Sequence, residues 1–157
     1  MALVDEVVLH PVGYVRGGRA AARDDGWDAE LCEIELDAGR FTPEALAGLD
    51  AFSHVEVVFH FHLVDEDAVV LTARHPRERE DWPKVGIFAQ RGRVRPNRLG
   101  VSVARLEAVD GLRVRVRGLD AIDGTPVLDL KPVMAEFLPR GDVRQPPWSS
   151  ELMADYW

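Results

Sequence analysis

Within Leu31–Asp37 apolar and acidic positions alternate, with Cys32, Ile34 and Leu36 set against Glu33, Glu35 and Asp37. Leu112–Arg117 repeats the pattern with the opposite charge, Leu112, Val114 and Val116 opposing Arg113, Arg115 and Arg117. A period of two predicts half-buried strands, one face dry and one wet, as antiparallel sheets allow. Val12–Val15, Val85–Ala89, Val101–Ala108 and Val127–Leu130 read as further strands, with Gly13 and Gly86 marking bends or bulges. In Phe52–His62, Ser53, Val55, Val57, Phe59 and Phe61 form one face, while Phe52, His54, Glu56, Val58, His60 and His62 form the other. Helical signals are few. Thr42-Pro43 predicts a cap and first position for a short helix through about Leu49. Ser149 or Ser150 predicts the cap of a last helix over Glu151–Tyr156, pairing Leu152 with Tyr156 and Met153 with Trp157. With no repeat and no clear linker, residues 1–157 read as a single, mainly β, antiparallel barrel-like domain with short peripheral helices.

Three segments hold candidate chemistry. The polar face of Phe52–His62 gathers three histidines and a carboxylate, but His54 and His62 stand roughly 26 Å apart on an extended strand. One ion cannot span that distance, so hydrogen-bonding histidines beside a polar pocket are expected rather than a metal site. Gly86–Ser102 places Arg91, Arg93, Arg95 and Arg98 among Gly92, Pro96 and Gly100, which predicts a shaped loop between strands. Guanidinium forks and backbone N–H groups in such a loop suit a carboxylate or phosphate; a solvated basic turn is the competing explanation. In Leu119–Lys131, Asp123-Gly124 is a strong turn dipeptide and Thr125-Pro126 sets an extended exit. Trp82, Trp148 and Trp157 read as core or interface plugs rather than base-stacking platforms. The glycine-rich, P-loop, nucleophile-elbow and zinc-helix signatures are missing, which disfavours a doubly wound nucleotide fold.

Composition narrows the classes further. At 157 residues with 46% hydrophobic and 29% charged positions, the chain can bury a real core. A single cysteine, Cys32, rules out an internal disulfide and makes a reducing cytoplasm the natural setting. No run is apolar enough to span a bilayer, and the opening residues do not read as a secretory signal. The net charge of −8 counts against a broad nucleic-acid surface but not against a local basic site. Arginine outnumbers lysine heavily, Lys84 and Lys131 being the only lysines; a GC-rich coding bias explains this as well as selection for bidentate anion recognition does.

Three segments, taken in order, carry a family resemblance. These are Phe52-Ser53-His54 leading into Phe61-His62, then Gly86-Ile87-Phe88-Ala89-Gln90-Arg91 with Arg95-Pro96-Asn97 and Leu99-Gly100, then Leu119-Asp120 with Asp123-Gly124-Thr125-Pro126-Val127-Leu128-Asp129 and Lys131-Pro132. They resemble the TsaA-like, or TrmO, family, and His10–Arg16 is similar to its usual start. The resemblance implies a β-barrel-like domain that binds S-adenosyl-L-methionine and forms a homodimer with the cofactor site near the subunit interface. It implies methyl transfer to N6 of threonylcarbamoyl-adenosine beside a tRNA anticodon. Cofactor contacts would fall on Phe61, His62, Arg91, Val101, Ile122, Asp123, Gly124 and Thr125, with Arg95 and Asn97 shaping the same pocket. Asp123 and Asp129 are candidates for taking the proton from N6, their alternative roles being a turn former and a paired strand residue. Where the family commonly has T-R-S-P and R-P-N-P-I-G, this chain has Gln90-Arg91-Gly92-Arg93 and Arg95-Pro96-Asn97-Arg98-Leu99-Gly100, and K-P-Y is replaced by Lys131-Pro132-Val133. These departures bear on the acceptor more than on the cofactor. They keep two alternatives open: a small molecule or another RNA site as acceptor, and a non-catalytic cofactor-binding module.

Overall fold

The computed structural model describes residues 3–157. Its eight strands are β1 (Gly13–Arg16), β2 (Leu31–Leu36), β3 (His54–His60), β4 (Ala73–Arg74), β5 (Val85–Gly86), β6 (Leu99–Asp110), β7 (Arg113–Arg117) and β8 (Pro126–Pro132). Six of them close into an antiparallel barrel in the order β1-β2-β7-β6-β3-β8, while β4 and β5 form a separate two-stranded ladder. The expected barrel-like, mainly β class is therefore the observed one. Closure leaves the barrel no long unpaired sheet edge.

The predicted alternation sets what faces inward. Register pairs Val15 with Ile34 and Ile34 with Val114, and Val55 with Ala104. All five are buried, alongside Val57, Phe59, Val116 and Val127. Their intervening neighbours on β2 and β7 form cross-strand ion pairs on the outer wall, Arg115 with Glu33 at 3.1 Å and Arg113 with Glu35 at 3.5 Å. The Arg113, Arg115 and Arg117 stripe is thus a neutralised sheet face. Two register shifts bend the sheet: Leu128 is the extra residue opposite Val58 and Phe59, and Glu107 the extra residue opposite Arg115 and Val116. At Gly13 an added Cβ would lie 2.3 Å from the Glu35 carbonyl, so this glycine permits close strand approach.

Several elements differ from expectation. The strand proposed over Val85–Ala89 ends at Gly86; Ile87–Ala89 is a 3-10 turn, closed by the Gln90 N–H on the Ile87 carbonyl at 3.2 Å. The helix proposed after Thr42 is two 3-10 turns, Pro43–Leu46 and Leu49–Ala51, separated by Gly48 at φ 87°. Ala47 leaves the helical region at ψ 125° and Gly48 follows left-handed, so the first turn stops before an α-helix can build, and the Thr42 hydroxyl makes no cap. The last helix, α1, spans Pro147–Leu152 rather than 151–156. Pro147 is preorganised for a first turn, so the helix starts before the serines, and Ser149 bonds the Pro146 carbonyl instead of capping. Tyr156 and Trp157 lie beyond the helix and make different contacts.

Strand directions bring the ends Arg16, Leu31, His60, Leu99, Arg117 and Pro126 to one rim of the barrel. Three connections leave and return there: 17–30, 61–98 and 118–125. The excursion 61–98 departs and lands on paired residues, since His60 faces Leu99 across the β3–β6 ladder. The 17–30 connection has no strand or helix of its own, and connections of that length are uncommon in compact domains and usually carry function.

Candidate functional site

Phe61 and His62 continue β3 onto this rim. The Phe61 N–H is held by the Arg98 carbonyl at 2.8 Å, and the Phe61 ring packs edge-on against Phe59 at 5.3 Å. His62 faces the 118–125 connection: a Cβ built on Gly124 would lie 3.9 Å from its Nε2. The histidine-ended strand and the aspartyl-glycine turn therefore meet.

The turn is tied down from beneath. Ile122 and Thr125 are buried, and the N–H groups of Asp123, Gly124 and Thr125 go to the carbonyls of Arg19, Val15 and Ile122. An Asp123 carboxylate oxygen accepts from the Gly17 N–H at 2.8 Å, clasping this turn to the 17–30 connection. With its N–H groups spent, the turn presents the Asp123 and Gly124 carbonyls, which accept no hydrogen bond among the described residues. It offers a ligand acceptors, where a donor-rich turn would suit an anion.

The four loop arginines divide into two pairs. Arg95 donates to the Gln90 carbonyl at 2.6 Å, and Arg98 donates to the Val64 carbonyl and lies 3.4 Å from Glu66. Gln90 in turn bridges the Arg74 and Val85 carbonyls, so these side chains hold the bend together. Asn97 and Arg98 adopt φ values of 61° and 51°. Two adjacent non-glycine residues in the left-handed region persist only where the surroundings impose them. Arg91 and Arg93 are exposed and face no carboxylate among the described residues. Arg91 uses one guanidinium nitrogen on the Val101 carbonyl, 2.7 Å away, which aims the rest of its fork beside β6.

Not every candidate joins the rim. Val101 points outward from β6 and is 37% exposed; its row across the sheet is Val101, Val58, Asp129. Asp129 lies on the outer wall, 3.0 Å from Lys131, with its other oxygen on the Leu130 N–H. Among the histidines, His54 is held by Ser53 far down the strand. Partial burial, Arg98 and His62 hold the His60 imidazole below its usual value of 6.5. No group of three metal-ligating side chains occurs among the described residues.

One part of this rim has no counterpart in the sequence expectations. Asp120, just before the turn, receives hydrogen bonds from the Ser102 and Tyr156 hydroxyls on its two carboxylate oxygens. The Leu119-Asp120 pair is visible in the sequence as motif, but nothing in its spacing signals a partner thirty-six residues later.

A closed six-stranded antiparallel barrel, with an arginine bend, a histidine-ended strand and an aspartyl-glycine turn on one rim, defines the class. Comparison with known proteins gives the same class a family. Residues 20–137 match the model of the tRNA-methyltransferase O N-terminal domain, and the chain belongs to that family. It is similar to a human tRNA (adenine(37)-N6)-methyltransferase, 33% identical over 147 residues that cover 89% of this chain and 33% of the relative. It is 40% identical over 101 residues to a probable S-adenosyl-L-methionine-binding protein of Pyrococcus abyssi, covering 64% of this chain and 52% of that one. A crystal structure of TrmO from Pseudomonas aeruginosa superposes with a TM-score of 0.69 at 31% identity, covering 88% of this chain and 61% of that one. The matched region thus spans a third to a half of these curated relatives' own length.

Proposed function

We propose that this chain binds S-adenosyl-L-methionine at the loop-bearing rim and methylates N6 of threonylcarbamoyl-adenosine beside a tRNA anticodon. The observation that supports the reading is the approach of His62 to the Asp123-Gly124 turn, with Arg91 held separately on the Val101 carbonyl of β6, in a chain of this family. The donor set suits the cofactor. Arg91 spends one guanidinium nitrogen on the Val101 carbonyl and keeps the others for the methionyl carboxylate, and the Asp123 and Gly124 carbonyls can accept from the adenine amine. Phe61, Ile122 and Thr125 supply apolar wall beneath, Val101 an outer edge, and Arg95 and Asn97 the shape of the bend. When bound, the cofactor supplies a methyl group already activated by its sulfonium.

What remains for the protein is orientation and one proton. Holding the acceptor in line contributes most of the rate. The N6 proton has two candidate acceptors, Asp123 and Asp129, and Asp123 is the better placed. It is exposed on the rim turn next to His62 with one oxygen uncommitted, whereas Asp129 is ion-paired on the outer wall. Arg93 and Arg91, free of carboxylates, give the local basic surface that a tRNA backbone requires within an acidic protein. We infer that residues 1–157 work as one barrel domain, in the cytoplasm, and as a homodimer. Val101 and Val103, 37% and 44% exposed, flank one another on the outer face of β6, and Phe88 on the arginine bend is 79% exposed. A second copy on this face would bring the two cofactor sites to the subunit interface.

Calorimetric titration with S-adenosyl-L-methionine tests the reading. The wild-type chain should bind it, and Arg91→Ala should weaken binding by about tenfold to a hundredfold, the worth of a lost charge-assisted pair. Equal affinity in the variant would remove Arg91 from the site.

A further inference from the structure

The three rim connections are joined by one element that the proposed chemistry does not use. Residues 147–157 form a strap across them. At its start, Glu151 accepts a 2.9 Å hydrogen bond from the indole N–H of Trp82, a buried side chain in the 61–98 excursion. At its end, the carbonyls of Asp155, Tyr156 and Trp157 accept from the N–H groups of Gly26, Trp27 and Asp28 in the 17–30 connection, at 2.9–3.0 Å. Between these anchors the Tyr156 hydroxyl reaches Asp120 in the third connection. The Tyr156 ring stacks edge-on against Trp157 at 4.8 Å, which fixes its direction.

The Asp120 carboxylate is half-buried and forms no ion pair among the described residues. Its charge is instead balanced by two hydroxyl donors, Tyr156 from the strap and Ser102 from β6. Ser102 is buried, which makes its bond to a carboxylate strong, since no water competes for it. Both ends of this bridge adjoin the candidate site. Ser102 follows Val101, whose carbonyl aims Arg91, and Asp120 lies two residues before Ile122, where the ligand-facing turn begins. The Arg91 guanidinium is also near enough to act electrostatically on the Tyr156 hydroxyl, which burial and Asp120 together push well above its usual range.

We propose that Tyr156 is a positioning residue of the cofactor site, acting through Asp120 and Ser102 to hold the Ile122–Thr125 turn and the Val101 end of β6 at the separation the ligand requires. The inference rests on the cofactor reading above and assigns the strap to it. Without the hydroxyl, Asp120 keeps one donor and is free to swing toward water. The turn then rests on its own backbone bonds, and the Arg91 fork and the carbonyl acceptors no longer share one rigid frame. Binding suffers because the ligand must itself restore that frame.

Three proteins test this by calorimetry with S-adenosyl-L-methionine: wild type, Tyr156→Phe and Ser102→Ala. Tyr156→Phe keeps the ring and its stacking, and Ser102→Ala breaks the bridge from the barrel side without touching the strap. Each should weaken binding by about tenfold, with the double variant little worse than either single one, as expected for one shared carboxylate. In turnover assays the loss should fall on KM for the cofactor more than on kcat. A wild-type chain that fails to bind the cofactor overturns the cofactor reading and this inference together. Binding by wild type with unchanged affinity in either folded variant overturns the inference alone.

Discussion

Asp120, Asp123 and Asp129 lie within ten residues of one another, yet the fold gives each a different employment. Asp120 is saturated by two hydroxyls, Asp129 is neutralised by Lys131 on the outer wall, and Asp123 keeps an oxygen open on the rim. The family motif offers Asp123 and Asp129 alike as candidate proton acceptors, because the face each occupies is set only by the fold. His60 makes a second case at this scale. Its partial burial beside Arg98 and His62 favours the neutral ring in the folded chain. Above 6.5 both folded and unfolded chains carry the neutral ring, and its contribution to stability is complete. As pH falls below that value the unfolded chain takes up the proton first, so stability is lost until the lower folded value is passed. His60→Gln should flatten this part of the profile. Thermal midpoints of both proteins at about pH 7.5 and pH 5.5 check it, with the wild type falling further. Parallel changes in the two proteins would deny His60 that role.

At the level of elements, the strands were the most legible part of the chain. Alternation in Leu31–Asp37 and Leu112–Arg117 depends on side chains facing core or water, and the barrel buries the expected half of each. The helices were less legible because their limits depend on backbone conformation: Gly48 at φ 87° divides one, and Pro147 starts the other early. The residues quoted as motif in the arginine bend turned out to divide by partner, Arg95 and Arg98 bracing the loop while Arg91 and Arg93 remain outward. Gly100 shows an element-scale constraint hidden in the R-P-N-R-L-G run. It pairs with Phe59 in the ladder, and an added Cβ would stand 2.5 Å from the Phe59 ring. Gly100→Ala should destabilise the chain by about 1–3 kcal/mol, as overpacking against a buried ring does. Chemical denaturation measures this; an unchanged midpoint would mean that Phe59 has room to move.

For the molecule as a whole, closure of the sheet does the organising. It sends three connections to one rim and lets residues far apart in sequence, such as His62 and Gly124, share a surface. The family was legible from motifs in order, and the barrel from periodicity. The strap was not, because hydrogen bonds from Tyr156 to Asp120 and from Trp82 to Glu151 join segments whose sequences carry no matching pattern. A total of −8 conceals outer-wall ion pairs that cancel much of the arginine content, while Arg91 and Arg93 face no carboxylate among the described residues.

Transfer of labelled methyl from S-adenosyl-L-methionine to tRNA is the most direct test, using tRNA that carries threonylcarbamoyl-adenosine and the same tRNA with an unmodified adenosine at that position. The wild-type chain should label N6 of the modified nucleoside alone, and Asp123→Asn should lower the rate by about a hundredfold or more, the usual worth of a positioned base. Tight cofactor binding with no label in either tRNA would contradict the account.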